Sequence, residues 1–364
     1  GGPFIRKSAW QDSILLMRTF LLPETRNRHI FNMAFALCYR YNCNCHNLRK
    51  TGDFMMVTGR FRAFANASCI GMLLVLLAGA LVTNTDSGRG CGDDWPLCHG
   101  KFIPAYTLES MIEYSHRVVS ALEGMLVLGV AIAVYLKYKR DADRFREPLW
   151  YAGMALLFTV VQALMGAAAV MWPQSPPIMA IHFGISLIAF AATLLLVIWA
   201  YRHKNGAPKE FPVPRSVMPF ALGVSIYCYV VIYLGAFIRH TESAGGCMGW
   251  PLCNGELIPD MQGATGAVFI HRLGALILGI VIVWMYVHIR NVSGQAGLTR
   301  PAGWVVALVV AQILSGALLT ATIGNENWFI FTSLLHNLII VGLFGILLDI
   351  LIRSWRLRKG REEG

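Results

Sequence analysis

Residues 85–100 have the sequence TDSGRGCGDDWPLCHG, and residues 241–255 have the sequence TESAGGCMGWPLCNG. The second stretch repeats the first, at an offset of 156 residues at the first cysteine and 155 at the second. Each stretch lies between two apolar segments, and a His-Arg pair recurs in the segment that follows. The pattern indicates that one half of the chain has been duplicated, with the same loop joining two helices in each half.

The composition is that of a membrane protein. Of the 364 residues, 56% are hydrophobic and 14% are charged, whereas about a quarter of the residues are charged in soluble proteins. Apolar stretches recur at the length of about 20 residues that a helix needs to cross a hydrocarbon core. The sequence therefore predicts an all-α integral membrane protein with eight transmembrane helices. The predicted helices cover residues 64–84, 116–136, 149–172, 178–200, 217–238, 268–289, 302–323 and 331–352.

Lysine and arginine are concentrated on one side of these helices. Loops 137–148 and 201–216 and the C-terminal tail are basic, whereas loops 85–115 and 239–267 carry few basic residues. The positive-inside rule therefore predicts a protein of the cytoplasmic membrane with both termini in the cytoplasm. Because the charge is confined to short loops between apolar spans, the net charge of +11 does not indicate nucleic-acid binding.

The duplication predicts two tandem four-helix bundles, residues 55–210 and residues 211–364. Since four is an even number, both halves enter the membrane in the same direction. They are predicted to be related by a pseudo-twofold axis along the membrane normal, as in a parallel repeat. Residues 1–54 match neither half, and they are predicted to be a disordered extension or the product of a wrongly assigned start.

Four histidines occupy corresponding positions in the two halves. They are His116 and His182 in the first half, and His271 and His336 in the second. Polar side chains inside membrane helices are costly and usually mark function. Two imidazoles on separate helices can bind one iron axially with a porphyrin between the helices, whereas zinc needs more protein ligands than these spans offer. A single such histidine could simply donate a hydrogen bond to a neighbouring helix, but matched pairs favour two haem sites near the outer helix ends.

These motifs resemble the bacterial heme A synthase family over residues 60–355. Members of that family oxidise the C8 methyl group of haem O to a formyl group, giving haem A for terminal cytochrome oxidases. The resemblance implies an oxidoreductase that binds its haem O substrate at His116 and His182 and a haem b cofactor at His271 and His336. It also implies haem O synthase and cytochrome oxidase assembly factors as partners. The resemblance rests on residues 85–88, 91–92, 95–100, 112–117, 179–184 and 239–243.

Glu113 is the candidate catalytic residue. It precedes His116 by three positions, so both side chains project from nearly the same face of a helix. A carboxylate there can accept a proton or stabilise positive charge on the substrate methyl carbon. The second half has no carboxylate at this position. This difference predicts a catalytic site in the first half and a site that only binds haem in the second. The alternative is an interfacial glutamate paired with Arg117.

Two cysteine pairs lie in the outward loops, where an oxidising compartment preserves disulfides. The sequence predicts the disulfides Cys91–Cys98 and Cys247–Cys253. In the family that the chain resembles the first pair takes part in turnover, which makes Cys91 and Cys98 candidate catalytic residues. A structural staple is the alternative for the first pair and the favoured interpretation for the second.

Three arginines at outer helix ends, Arg117, Arg239 and Arg272, are candidate partners for haem propionates. Extension of these side chains to the membrane interface is the alternative.

The predicted reaction takes its oxygen from water, because an iron with two histidine ligands has no open position for dioxygen. A rival function is a quinol-linked membrane electron carrier with two haem b groups, which leaves haem unmodified. It explains the four histidines equally well, but it explains neither Glu113 nor the cysteine loops. A transporter built as a parallel repeat explains the duplication but not the matched histidines.

Overall fold

The computed structural model describes residues 57–102, 106–172, 175–206, 211–293 and 297–358. These ranges contain eight long α-helices and a short 3-10 helix, Ser243–Gly246. The predicted extension over residues 1–54 lies outside them. The long helices are α1 (Gly59–Asn84), α2 (Leu108–Tyr138), α3 (Ala142–Met171), α4 (Pro176–Arg202), α5 (Val217–His240), α6 (Gly263–Ser293), α7 (Thr299–Ala321) and α8 (Glu326–Arg356).

All eight helices are long and apolar enough to cross a membrane. The shortest, α7, has 23 residues, which at 1.5 Å per residue gives about 34 Å, more than the hydrocarbon thickness of about 30 Å. In the described ranges, isolated β-bridges occur but no strand. The predicted class, an all-α multi-pass membrane protein with eight spanning helices, is confirmed.

Five helices begin five to eight residues before their predicted starts, and α2 is the most important of them. It begins at Leu108, where the Thr107 hydroxyl accepts a hydrogen bond of 3.3 Å from the backbone N–H of Ser110. The sequence-based boundary was wrong because the first turns are polar, and a hydropathy window omits turns that are held by a cap. Glu113 and His116 therefore lie in the second and third turns of α2, not at its start.

The helices pack as two groups of four. In the first group α1 contacts α2 and α4, and α3 contacts the same two helices; in the second group α5 and α7 each contact α6 and α8. Contacts between the groups join α4 to α5 and α8, and α1 to α8. One buried apolar core extends through both groups. The division between residues 210 and 211 and the pseudo-twofold axis remain predictions.

The ends of the bundle differ in character. We call the end that carries residues 85–107 (the first loop) and 241–262 (the second loop) the loop end, and the opposite end the basic end. At the basic end, Arg202 on α4 pairs with Glu147 on α3 at 3.2 Å and with Asp349 on α8 at 3.6 Å. Arg353 and Arg356 of α8 complete this network through Asp349 and Glu147. The network joins the two groups of helices.

Replacing Asp349 by alanine is expected to lower the free energy of unfolding by about 3 kcal/mol, because it leaves two largely buried arginines without this carboxylate. The measurement is thermal unfolding in detergent. As a control, the double variant Asp349→Leu with Arg202→Met removes both charges together and is expected to recover much of the loss. Equal melting temperatures for the wild type and Asp349→Ala would show that the network contributes nothing to stability.

Candidate functional site

The two loops at the loop end are closed by disulfides. Cys91 is bonded to Cys98 with 4.4 Å between their Cα atoms, and Cys247 is bonded to Cys253 with 4.8 Å. All four cysteines are buried. The structure thus contains both predicted disulfides, each closing a short loop over the end of the helix bundle.

A side chain inside each loop completes the same closure. The ring Nε2 of His99 lies 3.1 Å from the carbonyl oxygen of Gly90, and in the second loop the Asn254 side-chain amide donates to the Gly246 carbonyl at 3.1 Å. Both residues have positive φ, 50° for His99 and 56° for Asn254, a conformation that asparagine and histidine tolerate better than most residues. His99 therefore has a local structural role, and asparagine fills the same role in the second half.

An arginine from the following helix holds each loop in place. Arg117 on α2 donates from Nη1 to the carbonyl oxygens of Asp94 at 2.7 Å and Leu97 at 2.6 Å. Arg272 on α6 donates to the carbonyl oxygens of Gly249 at 2.8 Å and Cys247 at 2.7 Å. Both guanidinium groups thus bind loop backbone.

Arg239, the third candidate for a propionate contact, bridges the two groups of helices at the loop end. Its Nε donates to Asn84 Oδ1 at 2.7 Å and its Nη2 to the Thr83 carbonyl at 2.6 Å. The Asp86 carboxylate lies 4.0 Å from the same guanidinium group. All three arginines therefore have protein partners, and a role in propionate binding stays a prediction.

Glu113 is 3% exposed, and both of its carboxylate oxygens have partners. Oε2 accepts a hydrogen bond of 2.8 Å from the backbone N–H of Cys91, and Oε1 lies 2.5 Å from Nη2 of Arg117. The ion pair that the sequence offered as an alternative to catalysis is therefore present. The bond to Cys91 was not foreseen, and it connects the candidate catalytic carboxylate directly to the first disulfide.

The corresponding position in the second half is Val268. This side chain is buried against both cysteines of the second disulfide and Ile238. Val268 thus makes an apolar contact where Glu113 makes a hydrogen bond. The sequence shows no carboxylate at this position in the second half, and a buried apolar side chain occupies the space.

His116 and His182 are close enough for their rings to interact electrostatically. Each has a buried Nδ1 without a hydrogen-bond partner, an arrangement that native proteins rarely leave unexplained. His116 packs against α1, where a Cβ on Gly79 would lie 3.2 Å from its Cε1. Gly79 therefore leaves room for the imidazole beside the backbone of α1, and a larger residue would fill this space.

His271 and His336 form the second pair and also interact electrostatically. Unlike the first pair, their rings have protein partners. His271 Nδ1 lies 3.2 Å from the Val231 carbonyl oxygen, and His336 lies 2.8 Å from Ser315 through Nδ1 and 2.8 Å from Gln312 through Nε2. A Cβ on Gly235, which corresponds to Gly79, would lie 2.9 Å from His271 Cε1. Hydrogen bonds to Nδ1 fix ring orientation and leave Nε2 as the nitrogen for a metal.

Two half-buried imidazoles per site suit a metal whose other ligands come from a prosthetic group. Among the described residues, no group of three or more histidine, cysteine, aspartate or glutamate side chains could hold a metal ion. A porphyrin supplies four in-plane nitrogens and needs only two axial ligands. The glycines that accommodate the rings of His116 and His271 fit this ligand set, and the first pair has no hydrogen bond at Nδ1 that would fix its rings in another orientation.

The sequence reasoning overlooked a second buried acid, Glu123, which is also on α2. A charged residue type within an apolar span was the available signal. It also overlooked Gln162 and Gln312 as partners of the α4 and α8 histidines, although both belong to the repeated segments. Gln162 donates to the His182 carbonyl oxygen at 2.7 Å.

Comparisons with known proteins agree with the resemblance seen in the sequence. A family model described as cytochrome oxidase assembly protein matches residues 62–111 and 105–348. The heme A synthase of Symbiobacterium thermophilum is 40% identical over 291 residues, which cover 79% of this chain and 92% of that protein. That of Halalkalibacterium halodurans is 40% identical over 285 residues, 78% and 93% of the two chains. That of Bacillus licheniformis is 41% identical over 295 residues, 80% and 94%.

Replacing Glu113 by alanine is expected to raise the rate of hydrogen–deuterium exchange at the Cys91 amide by about tenfold or more, because this N–H loses its acceptor. The measurement is exchange followed by mass spectrometry of peptides covering residues 88–99. The matched control is Val268→Ala, which removes no hydrogen bond and is expected to leave exchange at Cys247 within a few-fold of wild type. Unchanged exchange in the glutamate variant would contradict the Cys91–Glu113 bond.

Proposed function

Because the chain belongs to the cytochrome oxidase assembly protein family and its relatives are heme A synthases, we propose that it oxidises the C8 methyl group of haem O to a formyl group, giving haem A. The observation that carries the proposal is a pair of half-buried histidines with a buried carboxylate, Glu113, three residues before one of them, in one half only. The protein is thereby an oxidoreductase that acts on a C–H group of its substrate.

With water as the oxygen source, the reaction is balanced as follows. The methyl group and one water molecule give the formyl group, four protons and four electrons, in two steps of two electrons each with a hydroxymethyl group between them. Four protons must therefore leave a site enclosed by membrane helices. The reaction needs groups that accept protons, which the carboxylate of Glu113 can do.

The first half holds the substrate in this proposal, at His116 and His182. Their unpartnered Nδ1 atoms suit a ligand that enters and leaves. The second half holds a haem b cofactor at His271 and His336, which when bound supplies one-electron transfer. The hydrogen bonds to His271 and His336 support permanent binding, since they fix the rings in one orientation.

Gln312 and Ser315 each contact one ring nitrogen of His336. Ser315 binds Nδ1 and Gln312 binds Nε2. If His336 bound iron through Nε2, Gln312 would give up its contact with that nitrogen, and Ser315 would still hold the ring at Nδ1. The corresponding residues of the first half are Gln162 and Met165, so the first pair has no such hydroxyl group.

Glu113 acts as the proton acceptor beside the substrate. Arg117 and the Cys91 amide hold its two oxygens, and this geometry depends on the closed first loop. The disulfide Cys91–Cys98 therefore positions the carboxylate. Cys91 and Cys98 contribute to turnover by holding Glu113 in place. The first cysteine pair is therefore structural in itself, and catalysis depends on it.

The cellular setting follows from the charge distribution and the family. The basic end lies in the cytoplasm and the disulfide loops face the opposite, oxidising side of the cytoplasmic membrane. Haem O arrives from a haem O synthase, and haem A passes to factors that assemble cytochrome oxidase. The alternative function, a two-haem electron carrier, does not explain why a carboxylate is confined to one half. It also does not explain why the relatives of the chain are heme A synthases.

Cells that express the chain together with a haem O synthase are expected to contain haem A, measured by chromatography of acid–acetone extracts. Glu113→Gln is expected to lower the ratio of haem A to haem O by about 10²-fold or more, because an amide cannot accept the proton. The glutamine oxygen can still accept the Cys91 hydrogen bond, although the ion pair with Arg117 is lost. Exchange at the Cys91 amide in this variant shows whether the loop contact is kept.

The control is Glu109→Gln, which changes an exposed carboxylate on the same helix and should leave the ratio unchanged. Extracts that contain only haem B, together with a reversible redox spectrum of the purified protein, would support the electron carrier instead.

Histidine variants test the division of labour between the halves. His271→Ala and His336→Ala are expected to remove the haem b absorbance from the purified protein, because each deletes an axial ligand. His116→Ala and His182→Ala should retain that absorbance while haem A formation is lost. The measurement is the reduced-minus-oxidised optical spectrum with iron content per chain. Equal loss of haem b in all four variants would refute the assignment.

A further inference from the structure

The first group of helices contains a second buried carboxyl group, which the mechanism above does not use. Glu123 is 3% exposed, and it lies inside the bundle because it packs against α1. Ser68 Oγ on α1 donates to Glu123 Oε1 at 2.9 Å. A Cβ on Gly71 would lie 1.9 Å from Glu123 Oε2, so the carboxyl group fills the space that this glycine leaves. The sequence of α1 thus provides both a hydrogen-bond donor and room for the acid.

Two further polar side chains belong to the same cluster. The Cys69 thiol on α1 interacts electrostatically with Glu123 and is hydrogen-bonded to Thr193 on α4. Ser68 and Thr193 are buried. Three helices therefore contribute polar groups to one place in the interior of the first group, where apolar packing would be the simpler solution.

The corresponding place in the second group is almost entirely apolar. The positions that match Ser68, Glu123 and Thr193 in the repeat hold buried aliphatic side chains in the common core. The polar cluster is therefore a property of the half that carries Glu113, and the fold itself does not require it. The three aliphatic residues are Val224, Leu278 and Leu347.

The position of Glu123 relates it to the first histidine pair. It follows His116 by seven residues on α2, which is two helical turns along the same face and about 10 Å towards the interior. The cations of α2 lie near its ends, at Arg117 and Lys137. From α1 the titratable group that faces Glu123 is the Cys69 thiol, and α3 has no ionisable side chain between Tyr151 and its end at Met171.

We propose that Glu123 is a proton-exchanging group of the first haem site: its carboxylate takes up one proton when the iron bound by His116 and His182 gains one electron, and releases it when the iron is reoxidised. The inference rests on the proposed function. Its physical reason is charge compensation, since a change of one charge at the site of His116, about 10 Å along the same helix, is felt strongly in a protein interior. The electron comes from the substrate oxidation and leaves to the haem b proposed for the second half. In the test, added dithionite supplies the electron.

An isolated carboxylate in a membrane is costly unless a cation or a proton compensates it. The positive charge of the oxidised iron site would compensate Glu123 before reduction, and the added proton would do so after reduction. The reaction of the first half releases four protons and the second half releases none. A proton-accepting group in the first half alone is therefore what this division of labour requires.

The test is redox-triggered infrared difference spectroscopy of the purified protein loaded with haem, in H2O and D2O. The wild type is expected to show a carboxylic acid C=O band on reduction that shifts in D2O. Glu123→Gln should abolish this band and weaken the pH dependence of the midpoint potential of the first haem, and should lower haem A formation by roughly tenfold. The matched control is Glu109→Gln, an exposed carboxyl group of the same helix, which should leave both readouts unchanged.

Ser68→Ala is a milder second variant, which removes one hydrogen bond and should shift the band without abolishing it. It replaces Glu123→Gln as the test if that variant does not fold. A band and a pH slope that are the same in the wild type, Glu123→Gln and Ser68→Ala would overturn the inference while haem A formation leaves the proposed function intact. Absence of haem from the first site of the wild type would overturn both.

Discussion

Hydrocarbon provides no hydrogen-bond partner, so a polar group inside a membrane helix must find its partner within the protein. In this chain the polar groups occupy distinct levels. Arginines bind the disulfide loops at the loop end, imidazoles lie below them, and an ion-pair network closes the basic end. Each level joins helices that are distant in sequence, as Arg202 and Asp349 show. The polar groups thus serve both the packing of the bundle and its chemistry.

The two groups of helices differ in the side chains near their histidine pairs. The first has Glu113 where the second has Val268, and Glu123 where the second has Leu278. The second has Ser315 beside His336, where the first has Met165. The two buried acids thus lie in the half that is proposed to oxidise haem O. The imidazole fixed by a hydroxyl group lies in the half that is proposed to bind haem b permanently. The repeat in the sequence permits such differences because each half has its own pair of histidines.

Much of this could be predicted from the sequence, since apolar length, the repeat and the cysteine spacing are local signals. The eight helices and both disulfides follow from them. The start of α2 could not, because a hydropathy window averages over the polar first turns that the Thr107 cap holds. The Cys91–Glu113 bond and the Arg239 bridge between α5 and α1 depend on how distant segments meet, which periodicity does not encode. Glu123 was visible as an acid in an apolar span, but its partners Ser68 and Cys69 became evident only in the packed bundle.

Two matched pairs of imidazoles that bind two haems in one chain would be visible in an experimental density map of the protein purified with haem. We expect one iron between His116 and His182 and a second between His271 and His336, each with a porphyrin between the helices. Iron bound by other side chains, or a histidine pair that stays without iron in protein shown to contain two haems, would contradict this expectation.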